Sequence, residues 1–296
     1  MRIVVTGGTG FLGRSLVERL QAEHEVIVLT RRPRTAGEVH WSPQTPDRKW
    51  IDTVNTAQAI VNLAGEPIAA GRWTVARKRA IHDSRIAATR AVVAAIRGAP
   101  RPPVLINASA IGIYGDRGDE PLTEESPPGA DFLASVCKEW EAEALKAADR
   151  SRVVLLRTGL VLAQDGGALP QLALPFRLFV GGPVGSGRQY WSWIQRDDWV
   201  ELVRLVTMSD TIVGPINLTA PEPVTNAEFA RTLGRVLHRP AIVPAPAFAL
   251  RVLLGEMADA MILGGQRVLP AKARSVGYSF RYPTLGAALT AIYGFA

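Results

Sequence analysis

The ten residues VVTGGTGFLG at 4–13 constrain the fold of this chain more than any other feature. An apolar stretch, RIVVTG at 2–7, runs directly into Gly7, Gly10 and Gly13, spaced G-x-x-G-x-x-G, and an amphipathic stretch follows at about 11–22. The spacing alone is common, but a strand before it and a helix after it make it informative. Gly7 allows a tight turn, Gly10 lets the backbone approach a pyrophosphate, and Gly13 lets the helix pack closely on the sheet. The helix N-terminus adds amide donors and the positive end of a dipole.

The rest of the first half repeats that rhythm. Strands are predicted at EVIVLT (25–30), AIVNLA (59–64), VLINASA (104–110) and VVLLRTG (153–159), with helices between at about 73–97 and 131–149. The insert at 33–57, rich in Pro, Thr and Asp, has room for one short strand at VHW (39–41). Short apolar runs alternating with amphipathic ones predict an α/β fold, a Rossmann-type doubly wound parallel sheet, over residues 1–165. Beyond residue 160 Gly and Pro punctuate QDGGALP and FVGGPVGSG, which predicts loops and short elements rather than further crossovers. Helices resume at about 197–209, 226–237, 246–263 and 284–293, giving a smaller, mostly helical region at 166–296 that caps the carboxyl ends of the strands. Later segments are expected to complete the sheet.

With 296 residues, 47% of them hydrophobic, the chain can bury a sizeable core. The longest apolar run, VVLLRTGLVLA at 153–163, is interrupted by Arg157 and too short to span a membrane. One cysteine, Cys137, and no secretory signal at the N-terminus predict a cytoplasmic protein. The net charge of +7 raises the question of nucleic acid. The densest basic stretch, WTVARKRAIHDSRIAATR at 73–90, reads as a solvated helix face, so no nucleic-acid partner is expected, and with apolar runs too short to span a bilayer no membrane partner is expected either. His24, His40, His82 and His238 are scattered, and no metal site is expected.

The end of the second strand selects the cofactor. An acidic residue there binds the ribose hydroxyls of NAD, whereas an arginine accepts the 2′-phosphate of NADP. This chain has Thr30-Arg31-Arg32 and no acid. The expected cofactor is NADP(H), held at the 2′-phosphate by Arg31 and Arg32 with Thr30 adding a hydroxyl.

TGGTGFLG, NLAG at 62–65 and SAIGIYG at 109–115 together resemble the extended short-chain dehydrogenase/reductases. NLAGEPIAAGRWT (62–74), SRIAATR (84–90), CKEWEAEA (137–144), WSWIQRDD (191–198), NLTAPEPVTNAEFA (217–230) and GQRVLPAKARSVGYSFRYP (265–283) resemble one atypical branch. That branch is labelled sugar-nucleotide epimerase-like or SulA-like, and carries a C-terminal domain of unknown function, here at about 246–296. The resemblance implies that Gly7, Thr9, Gly10, Phe11 and Leu12 cradle the pyrophosphate and that Thr30 and Arg31 take the 2′-phosphate. It places Asn62, Leu63, Ala64 and Gly65 along the adenosine and nicotinamide ribose, and makes Arg85 a further contact. A small-molecule substrate, nucleotide-linked or carbonyl, is implied; the oligomeric state is not.

The resemblance also implies a proton-transfer apparatus. Extended members use a tyrosine, four residues before a lysine on one helix face, and a Ser or Thr that orients the substrate oxygen. Here Lys138 has Ala134 four residues before it, and the hydroxyl position is Ala110. The protic candidates left are Tyr114, Ser109 and Lys138. Ser109 is one position off along a strand, where successive side chains face opposite ways. Leu133, Val136, Cys137, Trp140 and Ala144 form an apolar stripe, which makes Cys137 a core residue. Two readings stay open: an enzyme with another proton source, and a cofactor-dependent sensor or scaffold without turnover.

Overall fold

The computed structural model describes residues 1–294. β1 (Arg2–Thr6) leads into helix α1 (Phe11–Gln21), then β2 (Glu25–Thr30), β3 (Glu38–His40), α2 (Arg48–Asn55), β4 (Ala59–Asn62), α3 (Val75–Gly98) and β5 (Val104–Ala110). A 3-10 turn at Ile111–Tyr114 and helix α4 (Phe132–Leu145) follow, then the strand Val153–Thr158. The second half holds α5 (Leu169–Arg177), α6 (Arg196–Met208), the strand Gly214–Leu218, α7 (Asn226–Leu237) and α8 (Ala247–Leu254).

Seven strands form one parallel sheet in the order Gly214–Leu218, Val153–Thr158, β5, β4, β1, β2, β3. β1 sits at the reversal of strand order, the place where ligands of open α/β sheets bind. Its side chains alternate between two cores: Ile3 and Val5 pack with Leu16, Leu20 and Trp199, whereas Val4 packs with Trp50, Val92 and Ile96. Burial of both faces explains why the strands read as continuous apolar runs. A third core, including Trp193, Phe229, Leu233 and Leu289, holds the C-terminal region together.

Three local details add to or alter the expectations. The insert at 33–57 contains α2, whose N-cap Asp47 accepts from the Lys49 amide at 2.8 Å and whose Trp50 and Val54 are buried. The Gly- and Pro-punctuated stretch after residue 160 contains α5, which starts with Pro170 in its first turn, a position where the missing N–H costs nothing. The helix expected at 246–263 breaks after Leu254, because Gly255 adopts φ +64°, and resumes as Glu256–Ala258 and a π-helical turn at Asp259–Leu263.

One polar tie crosses the whole assembly. Arg157, on the strand Val153–Thr158, donates from Nε and Nη2 to both carboxylate oxygens of Glu141 on α4, at 2.9 Å each. Its Nη1 donates to the Tyr114 hydroxyl at 3.0 Å and to the Glu124 carbonyl at 3.1 Å. Tyr114 in turn donates to Asn217 Oδ1 at 2.7 Å, and Glu124 Oε1 accepts from the Asn217 and Lys272 amides. Arg157 is 8% exposed and Glu141 6%. Burial works against the guanidinium's charge, but the bonds from Glu141 and Tyr114 outweigh it and raise its pKa. Removing one partner strands the other charge in the interior. Arg157→Met and Glu141→Leu are each expected to lose about 3–5 kcal/mol of stability, read as a lower urea midpoint at unchanged m-value. Midpoints equal to the parent's would contradict this account of the tie.

Candidate functional site

The carboxyl end of β1 carries the glycine loop. Gly7 has φ +69°, and a Cβ there would lie 2.8 Å from the Leu63 carbonyl oxygen. At Gly13 a Cβ would lie 2.2 Å from the Gly7 carbonyl oxygen, so α1 seats against the loop only without a side chain at that position. The Gly10 amide donates to Gly7 O at 3.0 Å and closes the turn. Gly10 is the N-cap of α1, with no side-chain cap and no acidic residue in the first turn. Most helices satisfy these amides with a Ser, Thr, Asp or Asn. Here they are left for an anion, with the dipole favouring negative charge.

Beside this loop is a cleft of about 940 Å³ lined by Gly8, Thr9, Thr30, Arg31, Arg32 and Arg34 among others. Thr9, Arg31, Arg32 and Arg34 are exposed, and Arg14 lines the same cleft from α1. Among the described residues the one carboxylate within 4 Å of Arg31 is that of Glu66, at 4.0 Å, and the Arg31 side chain is 82% exposed. A surface pair of that kind holds the side chain weakly, so Arg31 is free to turn to a bound phosphate. Arg14 and Arg34 were not singled out by sequence. The signal for them was the excess of arginine around the first two strands, legible only once α1 and the loop after β2 are side by side.

At the end of β4 the side chain of Asn62 is fully committed. Its Oδ1 accepts from Thr6 Oγ1 at 2.6 Å, and its Nδ2 donates to Asn107 Oδ1 at 2.7 Å and to Thr89 Oγ1 at 3.0 Å. Asn62 therefore ties β1, β5 and α3, and what remains open from 62 to 65 is Leu63, Ala64 and Gly65, none of them buried. Arg85 lies against Gly65. It is 8% exposed, its Nη1 donates to the carbonyls of Ile81 and Glu66 at 2.9 and 3.1 Å, and its guanidinium lies 5.1 Å over the Trp140 ring. Burial lowers its pKa. No carboxylate within 4 Å pairs with it among the described residues.

The acid–base candidates sit differently from the glycine loop. Tyr114 is fully buried, its hydroxyl spent between Asn217 and Arg157, and burial raises its pKa. Ser109 is buried and donates to Glu141 Oε1 at 2.6 Å. Lys138 is exposed. The face of α4 turned to the end of β5 is Leu133, Cys137 and Glu141: Cys137 packs with Ala110, Ile113 and Tyr114, and a side chain at Gly112 would meet Leu133. The four-residue pair on that face is thus Leu133 and Cys137, one position earlier than Ala134 and Lys138. Sequence reasoning set the register by Lys138. The buried Glu141 that fixes it has no mark in the sequence, since CKEWEAEA holds three glutamates.

A nucleotide-binding Rossmann domain is what this fold and loop define. The chain belongs to the NAD dependent epimerase/dehydratase family, whose profile matches residues 3–217; a domain of unknown function, DUF1731, matches residues 245–292. It is similar to the chloroplastic epimerase family protein SDR39U1 homolog of Arabidopsis thaliana, 45% identical over 302 residues covering 99% of this chain and 86% of the relative. A crystal structure of human epimerase family protein SDR39U1 with NADPH superposes at a TM-score of 0.91, with 35% identity and 100% of both chains covered. A nucleoside-diphosphate sugar epimerase from Corynebacterium glutamicum superposes at 0.83, with 36% identity, over 100% of this chain and 58% of that one. Family membership as an extended short-chain dehydrogenase/reductase accords with the resemblance of the motifs.

The thiol at Cys137 gives a direct check of the apolar face. Burial, with Glu141 adding to it, pushes its pKa up to about 12. The thiol stays protonated at every pH below that value, and in the native protein it should resist a disulfide reagent at pH 8. Full labelling is expected only in denaturant. Rapid stoichiometric labelling of the folded protein would contradict the buried placement.

Proposed function

We propose that this protein binds NADP(H) in preference to NAD(H), and acts as an epimerase-like or oxidoreductase-like protein toward a small substrate, nucleotide-linked or carbonyl. The observation that carries the reading is the uncapped N-terminus of α1 beside a cleft with Arg31, Arg32 and Arg34 and no acid at the end of β2. The NADPH in the human relative's structure supports it. When bound, the nicotinamide cofactor supplies a hydride acceptor or donor.

In this reading the first-turn amides of α1, with Gly7, Gly10, Phe11, Leu12 and Gly13, hold the pyrophosphate. Thr9 joins that cradle, and Thr30, Arg31 and Arg32 hold the 2′-phosphate by charge-assisted bonds. Leu63, Ala64 and Gly65 line the adenosine and ribose, with Asn62 fixing their backbone from within. Arg85 offers its remaining N–H groups from beside Gly65. A buried guanidinium without a carboxylate is costly by itself and is stabilised by an anionic or hydroxyl-rich ligand. Substrate oxygens meet Leu133 and Cys137 where relatives of the ordinary kind present a tyrosine and a lysine. Tyr114, Ser109 and Lys138 do not substitute, because each is buried and bonded or faces solvent. Proton movement then falls to water or to the substrate's own groups. The lone Cys137 supports a reducing, cytoplasmic setting.

The second reading, an NADP(H)-dependent sensor or scaffold without turnover, is favoured by one observation: both four-residue positions facing β5 are without a titrating group at neutral pH. The two readings share the cofactor, so the cofactor is tested first. Arg31→Ala with Arg32→Ala removes two bonds to the 2′-phosphate, each worth about 1.5–3 kcal/mol. The double variant should bind NADPH at least about tenfold more weakly in a fluorescence titration, with NADH affinity within a factor of about two. Equal losses for both nucleotides would contradict a 2′-phosphate role. A screen of nucleotide sugars and small carbonyls for change in nicotinamide absorbance then separates turnover from sensing.

A further inference from the structure

The C-terminal region carries a bare apolar face that the dinucleotide site does not use. No residue of α8, AFALRVLL, is buried: Phe248, Val252 and Leu253 are 70%, 74% and 67% exposed. Leu178, Phe179 and Val180 are all more than half exposed, as is Ile242. These segments are joined. The Val243 amide donates to Gly181 O at 3.0 Å and the Ala245 amide to Pro183 O at 2.9 Å, so the stretch at 242–245 runs beside the end of 174–183 and leads through Pro246 into α8. Isolated exposed apolar residues are ordinary, but a concentration of them in one region marks a surface that is covered in use.

The charges around this face indicate what covers it. Segments 166–182 and 227–259 carry Arg177, Arg231, Arg235, Arg239 and Arg251 against Glu228, Glu256 and Asp259, and Glu256 is paired with Lys78 at 2.8 Å. Arg251 is paired with Asp259 at 2.9 Å. Arg239 instead lies 4.6 Å over the exposed Phe179 ring, and Arg177 lies 5.8 Å over Tyr293. Among the described residues, Arg177, Arg231, Arg235 and Arg239 have no carboxylate within 4 Å. An apolar face bordered by unpaired arginines matches an acyl boundary bordered by phosphates.

We propose that this face docks on the surface of an anionic lipid bilayer. Phe248, Val252, Leu253 and the 178–180 segment enter the headgroup and acyl boundary, while Arg177 and Arg239 remain at the level of the phosphates. A second copy of the chain fits less well, since two-fold pairing would bring the unpaired arginines of one copy to those of the other. No spanning helix is required. Among the described residues no helix is long and apolar enough to cross a membrane, and the expectation of no membrane partner rested on span length, which a surface helix does not need.

Sedimentation of the full-length protein with phosphatidylcholine vesicles, with and without phosphatidylglycerol, tests the proposal. Binding is expected to the phosphatidylglycerol vesicles and to fall at least about tenfold on phosphatidylcholine alone or at high salt. Phe248→Glu with Val252→Glu, and separately Arg177→Glu with Arg239→Glu, should each lower the partition by a similar factor while the thermal midpoint and NADPH affinity stay at parental values. Three results would overturn it: no sedimentation with phosphatidylglycerol vesicles, equal sedimentation with both lipids, or a lipid-free dimer that Phe248→Glu with Val252→Glu converts to monomer. The last would assign the face to a second copy.

Discussion

A single buried guanidinium organises the carboxyl edge of the sheet. Arg157 engages both oxygens of Glu141, the hydroxyl of Tyr114 and the carbonyl of Glu124. Through Glu124 and Asn217 the same network reaches the Lys272 amide and the Leu269 carbonyl in the C-terminal region. A buried ion pair adds little net stability compared with an apolar core of the same shape, because desolvation offsets the Coulombic gain. Its effect is on geometry: it fixes the rotation of α4 against β5 and locks the last third of the chain to the sheet.

That geometry has a chemical consequence. Ser109 and Tyr114 are the hydroxyls that the sequence offers near the end of β5, and both are consumed by the Glu141–Arg157 pair. The same rotation turns Leu133 and Cys137 to β5 and Lys138 to solvent. The glycine loop, by contrast, leaves its amides uncapped and its arginines loosely held. One end of the site is therefore open to an anion, and near the other Ser109 and Tyr114 are bonded within the interior while Lys138 is exposed. Arg85, buried over Trp140 beside Gly65, is the one cation in the interior between these ends that lacks a carboxylate among the described residues.

The parallel sheet was legible because both of its faces are buried: continuous apolar strands and a glycine loop at the first turn leave few alternatives. α1, α3 and α4 were legible from their apolar stripes. α2 was not, since only Trp50 and Val54 of its eight residues are buried and the stretch around it is polar. The strand Gly214–Leu218 lay outside the strands read from sequence. It begins with Gly-Pro, residues poor in strand propensity, and is set by pairing with Val153–Thr158 rather than by pattern. In the site, Gly7, Gly10, Gly13, Arg31 and Arg32 could be named because loop spacing and strand ends are local features. The register of α4 could not, because it is decided by Arg157, sixteen residues beyond Glu141. Asn62 depends on distant residues in the same way: the resemblance of NLAG implied a ligand contact there, and its side chain bonds to Thr6, Thr89 and Asn107.

The central claim is that the cofactor groove is retained while the protein's own proton donors have been withdrawn from it. A crystal structure of this protein with NADPH tests it most directly, through the distance from the nicotinamide C4 to the nearest side-chain hydroxyl, ammonium or imidazole. The account predicts Leu133 and Cys137 at that wall and no such group within hydrogen-bond reach, with Tyr114 still bonded to Asn217 and Arg157. A Tyr114, Ser109 or Lys138 side chain turned to the C4 position would contradict it.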